Sequence, residues 1–117
     1  MPNSPLERLR HVRDECAYLV RRVAGMAGDE FFANEDLKRA FVRSLEIVGE
    51  ATKQIPEEFR GRHGEVPWRL MTGMRDRLIH DYGGVDYEIV WRTVIEEVPS
   101  LLEKVESILQ AEGGRLP

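Results

Sequence analysis

The amino-acid sequence predicts an all-α, up-and-down bundle of about five helices. Apolar residues recur at spacings of three and four along most of the chain, the signature of helices with one buried face. Helix-start signals stand ahead of several of these stretches, and the connections between them are short. No segment alternates with the period of two expected of a half-buried strand, and no internal repeat is present. At 117 residues the chain is expected to form a single domain over residues 1–112, with 113–117 as a frayed tail.

The first helix opens on Ser4-Pro5-Leu6-Glu7, which combines a serine N-cap, proline at the first helical position and a glutamate that closes a capping box. Leu6, Leu9, Val12, Cys16, Leu19, Val20, Val23 and Met26 then form one stripe, with Gly25 and Gly28 flanking its end. Residues 29–33 read as a connector that folds Phe31 and Phe32 back on the core. A second helix from position 34 or 35 carries Leu37, Phe41, Leu45, Val48, Thr52 and Ile55 in register, and Pro56 ends it. Within it, Gly49 and Ala51 could permit a close helix approach. A mid-helix glycine costs roughly 1 kcal/mol against alanine, which argues for a packing reason.

Residues 56–66 are polar and glycine-punctuated, with room for one helical turn at 57–60. His63, lying between Arg62 and Gly64, reads as a solvated loop residue rather than a metal ligand, since no second histidine or cysteine is near it in sequence. Pro67 starts the third helix, whose apolar side is Leu70, Met71, Met74, Leu78 and Ile79. It is expected to run to Tyr82, where Gly83-Gly84 supplies a C-cap. Asp86 caps a fourth helix through Ile89, Val90, Val94, Ile95 and Val98, broken by Pro99. Ser100-Leu101-Leu102-Glu103 is a further capping box that opens the last helix. Trp68 and Trp91 suit either the core or a dimer interface.

Composition bounds the function. Charged residues make up 32% and hydrophobic ones 42%, the balance of a folded, soluble chain. Cys16 is the sole cysteine, so no internal disulfide forms; it falls on the apolar stripe of the first helix, as a packed thiol or a reactive one. No apolar run reaches the ~20 residues of a membrane span and no signal-peptide core is present, so a cytoplasmic location is expected. The net charge of −4 argues against a general polyanion binder. Yet residues 60–80 hold Arg60, Arg62, Arg69, Arg75 and Arg77 against Glu65 and Asp76, a local +3. This island is either a solvated, ion-paired face or a surface that meets phosphate.

The candidate site lies in Met74-Arg75-Asp76-Arg77-Leu78-Ile79-His80-Asp81-Tyr82-Gly83-Gly84. On a continuous helix Arg75 and Tyr82 share a face, about 20° apart, and Asp76 lies one turn below His80; Arg75 and His80 are offset by roughly 140°. A site using both is then built from two copies, or from one copy whose helix end is unwound. Metal-free cleavage of a phosphodiester needs a group to move a proton and a cation to stabilise charge on phosphate. Histidine and arginine suit these roles. On a helix, Asp76 and the C-terminal dipole would favour protonated His80. On spacing alone the cluster reads more readily as ion pairing at a helix end.

Arg75, four residues, His80, one residue, Tyr82 resembles the Arg-x4-His-x-Tyr signature of HEPN domains. The surrounding sequence resembles the HepT-like toxin family in particular. The likeness runs through Leu45-Glu46-Ile47-Val48-Gly49-Glu50-Ala51, Gln54-Ile55-Pro56, Pro67-Trp68, the motif, and Gly84-Val85-Asp86-Tyr87-Glu88-Ile89-Val90-Trp91 with Val98-Pro99, covering residues 40–100. The resemblance implies a homodimeric, metal-independent endoribonuclease with no cofactor, its cleft formed where two motif helices meet. It implies a toxin whose antitoxin is a minimal nucleotidyltransferase that binds it and transfers AMP to Tyr82, placing bulk and negative charge in the cleft. Arg75 and His80 correspond to catalytic residues and Tyr82 to the modification site. Asp76 stands where the family often has asparagine; it can orient His80 but repels RNA phosphate, which Arg69 and Arg77 could offset as RNA-binding residues. Glu46 and Glu50 match family positions with no role beyond packing or partner contact. The alternative is a non-catalytic HEPN-type module that binds a nucleotide or RNA and docks the nucleotidyltransferase.

Overall fold

Ser4 accepts a hydrogen bond from the Glu7 amide at 3.2 Å, and from this cap the first helix, α1, runs over Pro5–Val23. The computed structural model describes residues 4–81 and 84–113, and the side chains of His80 and Asp81 lie outside that description. Leu9, Val12, Cys16 and Leu19 of α1 are buried, as the periodicity predicts, though the helix stops at Val23 rather than reaching Met26. A short helix α2, Gly28–Ala33, follows where a connector was expected. It buries Phe31, which stacks on Phe41 with ring centroids 5.1 Å apart and meets Trp91 at 5.2 Å. Phe32 stays 39% exposed, so only one of the two aromatics is taken into the core.

Asn34 then caps α3, Glu35–Lys53, by accepting from the Leu37 amide at 3.0 Å. This helix buries Leu37, Phe41, Leu45 and Val48 together with Ser44, Gly49 and Thr52. The Thr52 hydroxyl donates to the Val48 carbonyl at 2.6 Å, which satisfies a polar group inside the core. The next helix, α4, covers Glu57–Arg62, running past the turn at 57–60 that the sequence suggests. His63 at its end is no solvated loop residue. Its Nε2 lies 2.9 Å from a Glu112 carboxylate oxygen, and its ring packs on Phe59 at 4.8 Å. Only 14% of the side chain is exposed. The pairing spans 49 positions of sequence, beyond the reach of local reading.

The third predicted helix is divided. α5 spans Trp68–Thr72 and α6 spans Met74–Leu78, with Gly73 between them at φ −89°, ψ 6°. The Trp68 indole N–H anchors the start of α5 by donating to the carbonyls of Arg60 and His63, both at 2.9 Å. After Leu78 the chain extends into β1, Ile79–Asp81, which pairs antiparallel with β2, Gly84–Val85. A helix running to Tyr82 is therefore corrected to one that ends at Leu78. In a continuing helix the Leu78 carbonyl would accept the amide four residues on. Here it accepts the Asp86 amide at 2.9 Å.

Asp86 also caps α7, Tyr87–Glu96, accepting from the amides of Glu88 at 3.1 Å and Ile89 at 3.2 Å. The last helix, α8, is Val98–Gly113. It begins before Pro99, so Ser100 lies inside the first turn and the expected capping box there is not a helix start. Proline is tolerated in that turn because its missing N–H has no helical partner to lose. The five expected helices are thus α1, α3, the divided α5 and α6, α7 and α8. With α2 and α4, the described residues hold eight helices and one two-stranded ribbon. The architecture is an all-α bundle in which α1 packs against both α3 and α8, while α3 packs against α5 and α6.

Cys16 is fully enclosed. Burial first, and then the charge of Glu15, pushes its thiol up to about 12, which leaves it a packing residue and not a nucleophile.

The packing role expected of Gly49 is visible at the joint of α5 and α6. A Cβ at position 49 would lie 3.2 Å from the Met71 carbonyl oxygen and 3.6 Å from Met74 Cβ. Glycine lets α3 approach this joint at backbone distance. Gly49→Val should therefore destabilise the protein by about 1–3 kcal/mol, read as a lower denaturant midpoint in a circular-dichroism titration. A midpoint equal to that of the parent chain would show that the joint does not bear on α3.

Candidate functional site at the end of helix α6

Arg75, Asp76 and Arg77 lie consecutively on the exposed side of α6, between the buried Met74 and Leu78. Residues two apart on a helix point to nearly opposite sides, and the two arginines accordingly meet different neighbours. Arg75 leans on α3, its Nε 3.5 Å from a Glu46 carboxylate oxygen. Arg77 leans on α7, its Nη1 2.9 Å from Glu97. Arg77 borders a groove of about 500 Å³ that Ile89, Arg92, Glu96 and Glu97 complete. The basic island is therefore partly neutralised by acids from outside it. Arg62 lies over the Phe59 ring at 5.2 Å, while Arg69 and Asp76 are exposed and make no ion pair among the described residues.

His80 is not on the helix. Its backbone belongs to β1, and the pairing of Ile79 with Val85 and of Asp81 with Gly84 leaves it as an extra residue between two paired positions. Such a bulge bends a strand and redirects the side chain it carries. The helical relations expected of the motif are corrected accordingly. Asp76 is not one turn below His80, the 140° offset from Arg75 does not apply, and the α6 dipole ends two residues before the histidine. Of the two arrangements left open by the sequence, the described backbone is that of a single copy with an unwound helix end. The His80 side chain and Tyr82 lie outside the described residues.

What positions this segment is the pair of helices on either side. α6 delivers Arg75 by burying Met74 and Leu78, and the Asp86 amide and carboxylate tie the far end of the ribbon to Leu78 and to α7. The ribbon's glycine pair also has a second meaning in sequence. Gly-Gly between residues of β character marks a hairpin as readily as a helix end, and Ile79 and Val85 are of that character. Glu46 is the residue whose part the sequence did not disclose. It lies a little under thirty positions before Arg75, and only the packing of α3 on α6 brings the two together.

A family model described as Ribonuclease HepT-like matches residues 12–108. The chain belongs to the HepT-like ribonuclease family. It is 50% identical over 109 residues, 93% of this chain and 97% of the relative, to a protein of Caldanaerobacter subterraneus subsp. tengcongensis named "Putative RNase". It is 48% identical over 80 residues, 68% of this chain and 73% of the relative, to the "Probable ribonuclease HepT" of Thermococcus cleftensis. A "Putative RNase" of Methanocaldococcus jannaschii is 44% identical over 89 residues, 76% of this chain and 74% of the relative. No solved structure matches the chain. The matched segment of this HepT-like chain takes in α3, the divided α5 and α6, the ribbon and α7, which are all the elements that frame Arg75 and the His80 backbone. Among the described residues no cluster of histidine, cysteine, aspartate or glutamate is placed to hold a metal ion. No helix among them is long and apolar enough to cross a membrane.

The Asp86 side chain closes two α7 amides, so its loss should be felt at the start of that helix, while the backbone amide that closes Leu78 remains. Asp86→Ala is expected to cost about 0.5–2 kcal/mol in urea denaturation, with Asp86→Asn retaining most of the stability because its amide oxygen can accept the same bonds. Equal losses in the two variants would exclude the cap as the cause.

Proposed function

We propose that this HepT-like chain is a metal-independent endoribonuclease acting as the toxin of a toxin–antitoxin pair, with Arg75 and His80 as its catalytic residues. The observation that carries the reading is the laying of Arg75 and the His80 backbone across a helix end and a bulged strand, inside a chain of this family. An exposed arginine before the bend and a histidine at the bulge are suited to hold one phosphodiester from two directions. In the reaction the 2′-oxygen attacks phosphorus and the bond from phosphorus to the 5′-oxygen breaks. His80 gives its proton to the leaving 5′-oxygen, the 2′-hydroxyl proton passes to solvent, and Arg75 stabilises the charge on the phosphate oxygens. The products are a 2′,3′-cyclic phosphate and a 5′-hydroxyl. Asp76 is auxiliary, an exposed acid beside Arg75, and Arg69 contributes to RNA binding. Arg77 takes part once RNA competes with Glu97 for it.

The cleft is composite, formed by two copies. Because the helix end is unwound, support for two copies comes from the resemblance to HEPN domains and not from the helical offset. Tyr82, next to the catalytic bend, receives AMP from a minimal nucleotidyltransferase antitoxin, and the added phosphate charge opposes RNA. A non-catalytic docking module is the second reading, favoured by one observation, that both motif arginines already face a carboxylate.

Purified protein should cut single-stranded RNA in EDTA, leaving 5′-hydroxyl ends. Arg75→Ala and His80→Ala should each slow cutting by about 100-fold or more; cutting unchanged in both would leave the docking reading. Mixing the two inactive variants tests the cleft. Recovery of a fraction of the activity is expected if each site draws arginine and histidine from different chains, and no recovery if it does not. After co-expression with the nucleotidyltransferase, intact mass should rise by whole AMP units in the parent chain and stay unmodified in Tyr82→Phe. An adduct on the phenylalanine variant would exclude Tyr82 as the acceptor.

A further inference from the structure

The Glu46 carboxylate stands between two guanidinium groups. One oxygen lies 3.5 Å from Arg75 Nε and the other 3.9 Å from Arg43 Nη1. Each guanidinium is thus presented to an anionic oxygen, as it would be to the oxygen of a phosphate. Both contacts are long, and both arginine side chains are about 60% exposed, at 61% and 62%. The Glu46 side chain is 22% exposed, and long contacts to arginines that reach into solvent are worth little in stability. Arg43 also borders a groove of about 360 Å³ between α1 and α3, shared with Arg8, His11, Glu50 and Gln54. The Arg8 Nε there is shielded from solvent and has no hydrogen-bond partner among the described residues. Arg8, His11 and Arg43 thus make a basic lining that continues, through Glu46, to the motif arginine. The one acid that lines the groove, Glu50, is itself held by Arg43 at 3.6 Å.

We propose that Arg43, with Arg8 and His11 beside it, binds the RNA phosphate adjacent to the one held by Arg75, and that Glu46 occupies this two-arginine site until RNA displaces it. The proposal rests on the ribonuclease reading of the motif for its ligand. Single-stranded RNA is the occupant that fits, because a strand offers anions at regular short intervals and the cations form a row. A small anion would fill only one position of that row. Glu46 then acts as a built-in competitor, which sets how tightly the strand must bind before Arg75 is released to phosphate.

The test is binding of a 2′-O-methyl RNA oligonucleotide, which lacks the attacking hydroxyl and so reports affinity whether or not the protein cuts. Each phosphate contact contributes about 0.7 to the slope of log K against log salt for a single strand. Arg43→Ala should weaken binding several-fold and lower that slope by about 0.7 to 1, and Arg43→Lys should keep the slope. Glu46→Gln should tighten binding and steepen the slope, since it removes the carboxylate charge facing Arg75 and one of the two facing Arg43. Arg22→Ala, near the far end of α1 from Arg8, should change neither quantity and serves as the control. An unaltered slope in Arg43→Ala, weaker binding by Glu46→Gln, or no binding by the parent chain would overturn the proposal. Loss of the slope change alone, with cutting intact, would leave the catalytic reading standing. Slope changes as expected in a protein that does not cut would remove that reading and keep this one.

Discussion

The close approach of α3 to the joint between α5 and α6, made at Gly49, is the contact on which the site depends. It brings a carbonyl and a methionine side chain to where a Cβ would otherwise stand. Through it α6, a helix of only five residues, is held by tertiary packing, since so short a helix has little stability of its own. The same approach puts Arg75 within reach of Glu46. A larger residue at 49 would push α6 outward, and the arginine would lose the carboxylate that now faces it.

The end of α6 is equally a matter of competing hydrogen bonds. Leu78 has a carbonyl that helix continuation would use, but the Asp86 amide takes it, while Ile79 and Val85 pair across the ribbon. Asp86 thereby serves two elements at once, closing the ribbon with its amide and starting α7 with its carboxylate. His80 is placed by this contest, on a bulge between paired residues. A bulge is a common device beside functional sites because it bends the strand and re-aims the side chain it carries.

Charge around the motif is organised in pairs rather than as a bare basic patch. Glu46 of α3 and Glu97, just past the end of α7, each face one of the two arginines of α6, and the net charge of the chain is negative. Strong attraction for any polyanion is thereby held down, and RNA must compete with internal carboxylates for the arginines. His63 shows the same economy elsewhere: it joins the end of α4 to the end of α8 through Glu112, well away from the motif in sequence.

Much of this was legible in the residues. The stripes of α1 and α3 named their buried residues because a 3.6-residue period and a core-facing side are one requirement. Ser4, Asn34 and Asp86 marked helix starts because orphan amides need an acceptor. The family was readable from Arg75, His80, Tyr82 and the sequence around them. Other features were decided by contacts far apart in sequence. The break at Gly73, the strand at His80, the helical start before Pro99, the burial of His63 and the pairing of Glu46 with Arg75 all follow from which groups meet after packing. A local pattern specifies which face of a segment is apolar, and it is silent on which distant carbonyl, carboxylate or helix will satisfy the groups at its ends. Sequence alone therefore determined the class of fold, its core and the residues of the motif. The tertiary structure decided that the motif bends at Leu78 and that its arginine answers to Glu46, because both depend on hydrogen bonds and charges supplied from other helices.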